Sequence, residues 1–144
     1  MTAAVDTARG YGDVAVGENL PELTIPLTRT LIVATALATR DFQDVHHDPA
    51  LAVARGSKDV FMNILTTNGL VGRCVTDWAG PRASLRRIAV RLGAPNYPGD
   101  VMTLTGEVIA KDDGLVTVKV RGANSLGDHV TGTVVVAWTA GGNR

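Results

Sequence analysis

The chain has 144 residues, 45% hydrophobic and 19% charged, and its fourteen basic side chains balance fourteen acidic ones. That composition excludes a disordered polar chain, which buries too little apolar surface to offset the entropy of ordering, and a net charge of zero leaves no broad electrostatic footprint for nucleic acid or an anionic membrane. The length is that of one domain.

The longest strongly apolar run, 31–38, is too short to span a bilayer. No basic head followed by an apolar block marks the N-terminus as a secretory leader. A single cysteine, Cys74, cannot form an intrachain disulfide, which fits a reducing compartment and a cytoplasmic location. Aromatic residues are only 4% of the chain, so the core is built from Val, Ala, Leu and Ile. A small domain with such a core often buries a further face against a second subunit.

In chain order, residues 1–19 are rich in Ala, Gly, Thr and Asp without an apolar period, and are read as a flexible arm. A domain over 20–140 follows, and 141–144 is read as a frayed tail. A weak strand is expected over 23–27, with short helices over 30–38 and 49–55. Across 61–78 the apolar residues Phe61, Ile64, Leu65, Val71, Cys74, Val75 and Trp78 recur at steps of three and four, the stripe of a long helix. Gly80-Pro81 ends it. Gly69 and Gly72 inside it each cost about 1 kcal/mol against Ala, and close approach of another backbone is the expected reason.

The rest is β. Strands are expected over 83–92, 101–110, 115–120 and 130–139. Met102, Leu104 and Val108 oppose Thr103, Thr105 and Glu107, while Val116, Val118 and Val120 share one face. Asp112-Asp113-Gly114 makes a tight hairpin, and 124–128 has turn composition. Long strands joined by short turns imply an antiparallel sheet. The expected architecture is α+β, one sheet wrapped around one long central helix.

Polar density peaks at Asp41-Phe42-Gln43-Asp44-Val45-His46-His47-Asp48-Pro49, where two of the three histidines meet three carboxylates. Pro49 interrupts the segment, so it reads as loop, the place where reactive groups concentrate. Three readings stay open on chemistry alone. A histidine and a carboxylate can activate water; His and Asp can bind a divalent metal, although only His129 remains to add an imidazole; or the segment is a solvated turn with Asp48 capping a helix that starts at Pro49.

This segment resembles the Asp-x-Asn-Pro-x-His-x-Asp-Pro signature of the MaoC-like, R-specific enoyl-CoA hydratases. Pro98-Gly99-Asp100, ahead of a strand carrying Gly106-Glu107-Val108, is similar to a further segment of that family, so the resemblance covers about 23–138. It implies the hot-dog fold, which agrees with the sheet-and-helix architecture read independently. The stretches 36–41 and 76–81 are similar to the branch of the family whose small hot-dog subunits take part in hydrating steroid side-chain enoyl-CoA thioesters.

The resemblance implies roles. Asp41 and His46 fall on the catalytic positions and would together hold and deprotonate a water that adds to the β-carbon of a trans-2-enoyl-CoA. The family's helix-opening His-Gly pair corresponds to Met62-Asn63, so the backbone N–H at Asn63 would bind the thioester oxygen as charge develops there. Gln43 stands where the family has Asn and Asp44 where it has Pro, and the Gln43 amide is expected to help position the pair. His47 is expected to be exposed, His129 to be non-catalytic and Cys74 to be a buried apolar residue. Arg86, Arg87, Ser57 and Lys58 are read as solvated, with contact to CoA phosphates the competing reading. No metal and no cofactor beyond the CoA thioester substrate are expected. The implied partner is a second hot-dog subunit, in a heterodimer or heterotetramer. Two further readings are a noncatalytic CoA-thioester-binding or scaffold subunit, and a hot-dog thioesterase.

Overall fold

In a computed structural model the chain is described over residues 8–138. Its elements are β1 (Leu23–Pro26), α1 (Arg29–Ala38), α2 (Pro49–Ala54), α3 (Ile64–Ala79), β2 (Ala83–Leu92), β3 (Val101–Asp112), β4 (Leu115–Asn124) and β5 (Gly127–Trp138). The five strands form one antiparallel sheet in the order β1-β3-β4-β5-β2.

The alternation read in the sequence sets the sheet's inner face. Met102, Leu104 and Val108 of β3, Val116, Val118 and Val120 of β4, and Val134 and Val136 of β5 are all buried. They share one core with Val71, Cys74, Val75 and Trp78 of α3, which therefore lies along the concave side. At the β3–β4 hairpin, Asp113 (φ 48°) and Gly114 (φ 75°) both adopt the left-handed conformation that a two-residue turn matched to strand twist requires. The β4 and β5 strands run further than expected and leave only Ser125-Leu126 as the turn. Pairing of Arg121 with Thr131 and of Gly122 with Val130 carries the ladder through residues whose own strand preference is weak.

Several expectations are corrected. Helix α3 starts at Ile64, not at 61, because the Asn63 side chain caps it by accepting the Thr66 N–H at 3.0 Å. The stripe is phased by Val71 and Val75, and stepping back four residues from Val71 reaches Thr67, not Leu65. Thr66 and Thr67 are accordingly buried, while Ile64 and Leu65 are each 47% exposed. The backbone approach expected at Gly69 and Gly72 is likewise not found: a Cβ at Gly72 would touch only the Leu85 and Ile88 side chains of β2, at 3.4 Å, and Gly69 faces open space.

The flexible-arm reading also fails over 8–19. Val14 is buried, Gly17 donates to the Val108 carbonyl at 2.8 Å, and Asn19 bridges to Glu107. Glu18 accepts from Arg9 at 2.6 Å and from the Trp78 indole at 3.1 Å, and the Trp138 indole donates to the Arg9 carbonyl at 2.9 Å. A few anchoring contacts order a segment that has no periodicity. Residues 1–7, and the tail expected over 141–144, lie outside the described residues.

Candidate active site

The site grows from the end of α1. The Arg40 N–H donates to Leu37 O at 3.0 Å and the Asp41 N–H to Ala36 O at 2.9 Å, the paired bonds of a Schellman closure. That closure needs a left-handed residue at Arg40, which has φ 57° although it is not glycine. Such a residue costs on the order of 1 kcal/mol or more. The backbone strain sits one residue before Asp41, and the closure aims that residue back toward α3.

Beyond it, a 3-10 turn over Asp44–His46 leads into α2. Asp48 caps α2 by accepting from the Leu51 N–H at 3.1 Å, and Pro49 occupies the first helical turn, where no N–H is missed. The Arg55 guanidinium hydrogen-bonds Asp44 and holds its carboxyl below the usual carboxylate range. Asp44 is thus occupied with the scaffold.

His46 is buried, with its ring edge-on to Phe61 at 4.9 Å. Its Nδ1 lies 2.7 Å from the Phe61 carbonyl oxygen, which can only accept, so Nδ1 carries the proton. That leaves Nε2 as the nitrogen free of the backbone, and it stands 3.4 Å from Asp41 Oδ2. When the ring is neutral two acceptors face each other there, the arrangement that a donor such as water satisfies by touching both.

Asn63 completes the group. Its Nδ2 donates to Asp41 Oδ2 at 3.1 Å and to Thr39 Oγ1 at 2.9 Å. The second carboxylate oxygen, Oδ1, accepts from the Gln43 N–H at 3.3 Å. Of the expected residues, then, Asp41, His46 and Asn63 converge through their side chains, and Gln43 reaches Asp41 through its backbone alone. The Gln43 side chain is exposed and lines a separate hollow with Phe42, Asp44, Val45, His47 and Arg55. Its expected amide role is corrected to this backbone contact, because the 3-10 turn directs the side chain outward.

An apolar cleft of about 280 Å³ opens beside the pair, lined by His46, Phe61, Met62, Asn63, Ile64, Leu92, Gly93, Pro95 and His129. The N–H groups of Ile64 and Leu65, in the first turn of α3, have no intrahelical acceptor, and a helix N-terminus favours negative charge. An open groove of about 240 Å³ runs between α1 and α3 past Ala38, Thr39, Leu65, Thr66 and Leu70. His46 and Asn63 line the cleft, and Thr39 and Thr66, the hydrogen-bond partners of Asn63, line the groove.

His129 is buried with both nitrogens satisfied: Nδ1 donates to Ala94 O at 2.7 Å, and Nε2 accepts from the Thr67 hydroxyl at 2.8 Å. Burial pushes its pKa down from 6.5. His47 is half-buried, not exposed as expected, because its Nε2 donates to the Phe42 carbonyl at 3.2 Å. Cys74 is buried, and burial raises its thiol pKa. Ser57 hydrogen-bonds the Asp59 carbonyl at 3.0 Å, Lys58 lies over the Tyr97 ring at 5.8 Å, and Arg86 and Arg87 are exposed on edge strand β2. Among the described residues no three or more His, Cys, Asp or Glu side chains gather as a metal site would need.

Sequence reasoning missed Thr39, Thr66 and the Phe61 carbonyl. The Asn63 cap was within reach: an Asn just before an apolar-periodic helix is a helix-start signal.

An antiparallel sheet wrapped around one helix, with an Asp–His pair at the helix N-terminus, is the hot-dog architecture of the MaoC-like hydratases. The chain belongs to that family: the MaoC-like domain matches residues 14–129. It is 64% identical over 119 residues to the 3-oxo-4,17-pregnadiene-20-carboxyl-CoA hydratase beta subunit of Mycobacterium tuberculosis, a match spanning 83% of this chain and 92% of that one. The ChsH1-ChsH2 complex from Mycobacterium tuberculosis contains a chain that superposes with a TM-score of 0.85 at 61% identity, covering 87% of this chain and 98% of that one. The (R)-hydratase of A. caviae shares the fold at 24% identity, with a TM-score of 0.76 over 88% of this chain and 98% of that one.

Proposed function

We propose that this protein is an enoyl-CoA hydratase that adds water across the 2,3 double bond of a steroid side-chain trans-2-enoyl-CoA, as the catalytic subunit of a hetero-oligomer with a second hot-dog subunit. The observation that carries the chemistry is the 3.4 Å approach of His46 Nε2, the ring nitrogen not tied to a backbone carbonyl, to Asp41 Oδ2. The substrate class and the partner follow from the 64% identity to a pregnadiene carboxyl-CoA hydratase subunit and the likeness to a chain of a two-protein complex.

Water lies against the carboxylate and Nε2 and donates to both. One of the pair takes a proton as the water oxygen bonds to the β-carbon. The π electrons move toward the α-carbon and thioester oxygen, where the backbone N–H of the cap residue Asn63 and those of the first turn of α3 meet the developing charge. The pair then returns a proton to the α-carbon. One water is consumed, a C–O and a C–H bond form, and the thioester stays intact. Conjugation with the thioester already polarises the β-carbon, so the reaction calls for no metal and no cofactor. The apolar cleft lined by His46 suits a hydrophobic acyl group, and a wider pocket is the part the second subunit supplies. The lone Cys74 fits a reducing, cytoplasmic setting. Among the described residues no helix is long and apolar enough to cross a membrane.

The test follows loss of the conjugated-thioester absorbance from a steroid enoyl-CoA, with the partner subunit present. Asp41→Asn is expected to reduce the rate by about two to four orders of magnitude in a folded complex. Equal rates would move the chemistry to the partner, and release of free CoA thiol would make the chain a thioesterase.

A further inference from the structure

Asn63 uses all of its hydrogen-bonding capacity. Its Oδ1 accepts from both the backbone N–H and the hydroxyl of Thr66, and its Nδ2 donates to Thr39 Oγ1 and Asp41 Oδ2. The orientation of the amide is fixed from two sides. The Thr66 N–H can only donate, so it must face Oδ1. The Thr39 hydroxyl already gives its proton to the Thr35 carbonyl at 2.8 Å, so it can only accept from Nδ2. The amide therefore cannot flip, and its second N–H is directed at Asp41. At 2% exposure, solvent does not compete for these bonds.

We propose that the Asn63 side chain is a positioning residue for the hydration reaction, tethering Asp41 Oδ2 beside His46 Nε2 by locking it to the C-terminal cap of α1 and the N-terminal cap of α3. The inference rests on the hydratase reading for its kinetic consequence, and it is separate from the role of the backbone N–H at the same residue. Only an ionised carboxylate profits fully from an N–H aimed at it, because hydrogen bonding to the charged form favours that form. The groups that face Asp41 are the His46 ring, the Asn63 amide and the Gln43 N–H. Nearby carboxylates are engaged elsewhere, Asp44 with Arg55 and Asp48 with the N-terminus of α2.

Two variants separate the tether from structure, each measured in the complex with the partner subunit. Asn63→Gly removes the amide yet keeps the backbone N–H, and glycine is a tolerated cap costing only a few tenths of a kcal/mol. It should lower kcat roughly 10- to 100-fold with KM little changed, the size of effect that misplacing a reacting group produces. Asn63→Asp keeps a good cap but sets a second carboxylate against the first. Like charges at that distance disfavour ionisation, so the acid limb of log kcat/KM against pH should move up by about one unit or more, with activity recovering in alkali. Carbon-13 NMR titration of the Asp41 carboxyl should show the same upward move without any need for turnover. An unmoved Asp41 midpoint in Asn63→Asp, or an unaltered kcat in Asn63→Gly, would overturn the proposal. A wild-type complex that hydrates no enoyl-CoA would sink the hydratase reading instead, while the NMR titration still decides the tether.

Discussion

The protein holds two buried histidines that are anchored alike and end differently. His46 and His129 are 6% and 2% exposed, and each commits Nδ1–H to a backbone carbonyl at 2.7 Å, of Phe61 and Ala94 respectively. In its neutral form each ring therefore presents Nε2 as an acceptor. At His129 that nitrogen is filled by the Thr67 hydroxyl, whereas at His46 it faces another acceptor, the Asp41 carboxylate. The anchor fixes the tautomer in both cases, and the group opposite Nε2 decides whether the ring is structural or reactive. Burial alone, or two histidines in one fold, would not tell them apart.

The sharpest way to break this contrast is to exchange the losses. His46→Ala should reduce kcat/KM by about two to four orders of magnitude, the usual worth of a positioned acid–base group, while the protein stays folded. Thr67→Val should do the reverse. It leaves His129 Nε2 a buried acceptor without a donor, which costs about 1–3 kcal/mol of stability, read as a lower urea midpoint, with the folded fraction still active. If Thr67→Val abolished turnover without lowering that midpoint, His129 would belong to the chemistry and the contrast would be wrong.

A weaker effect is a dependence of stability on pH. Burial lowers the pKa of His129 from 6.5, so the unfolded chain binds a proton before the folded one does. When the unfolded state holds more protons, stability rises with pH. Stability is therefore complete above about pH 6.5 and declines as the pH falls below it. Asp44, Asp59 and Asp100, whose pKa values are lowered from 3.8 by Arg55, Arg29 and Ser125 respectively, lose their contributions only in stronger acid. Urea midpoints measured between about pH 6.5 and 5 should fall in wild type, and His129→Gln should remove that share of the slope. An unchanged slope in the variant would show that His129 is not held neutral.

The sheet was far more legible than the site. Alternation at Met102, Leu104 and Val108 and at Val116, Val118 and Val120 identifies strands and their inner face because the side-chain period of a strand is two. The Asp113-Gly114 turn carries its own chemistry in the same way. Asp41 and His46 were legible only as a motif, since nothing in their types fixes a 3.4 Å approach. That distance depends on where α1 ends, at Ala38, and on where α3 begins and which carbonyl holds Nδ1, at Ile64 and Phe61, more than twenty residues further on. Leu65 misled for a related reason: apolar character suggested a buried helix position, but the phase set by Val71 and Val75 placed Thr66 and Thr67 inside. The 8–19 segment was misread because its order comes from Arg9, Val14 and Glu18 individually, which no periodic pattern announces.

The smallest effect concerns how Asp41 arrives opposite His46. The Schellman closure at the end of α1 would normally carry glycine at its left-handed position, and Arg40 holds φ 57° there instead. Relieving that strain with Arg40→Gly should raise stability by about 0.5–1 kcal/mol after allowing for the extra freedom of glycine in the unfolded chain. This corresponds to a rise of a few degrees in Tm. If the backbone closure places Asp41, glycine adopts the same φ, the Asp41 N–H keeps its bond to Ala36 O, and kcat stays within about threefold of wild type. A fall beyond tenfold with the expected gain in stability would mean that the Arg40 side chain serves the site. The difference between the two histidines would then depend on a cation at the mouth of the site as well as on the carboxylate facing Nε2.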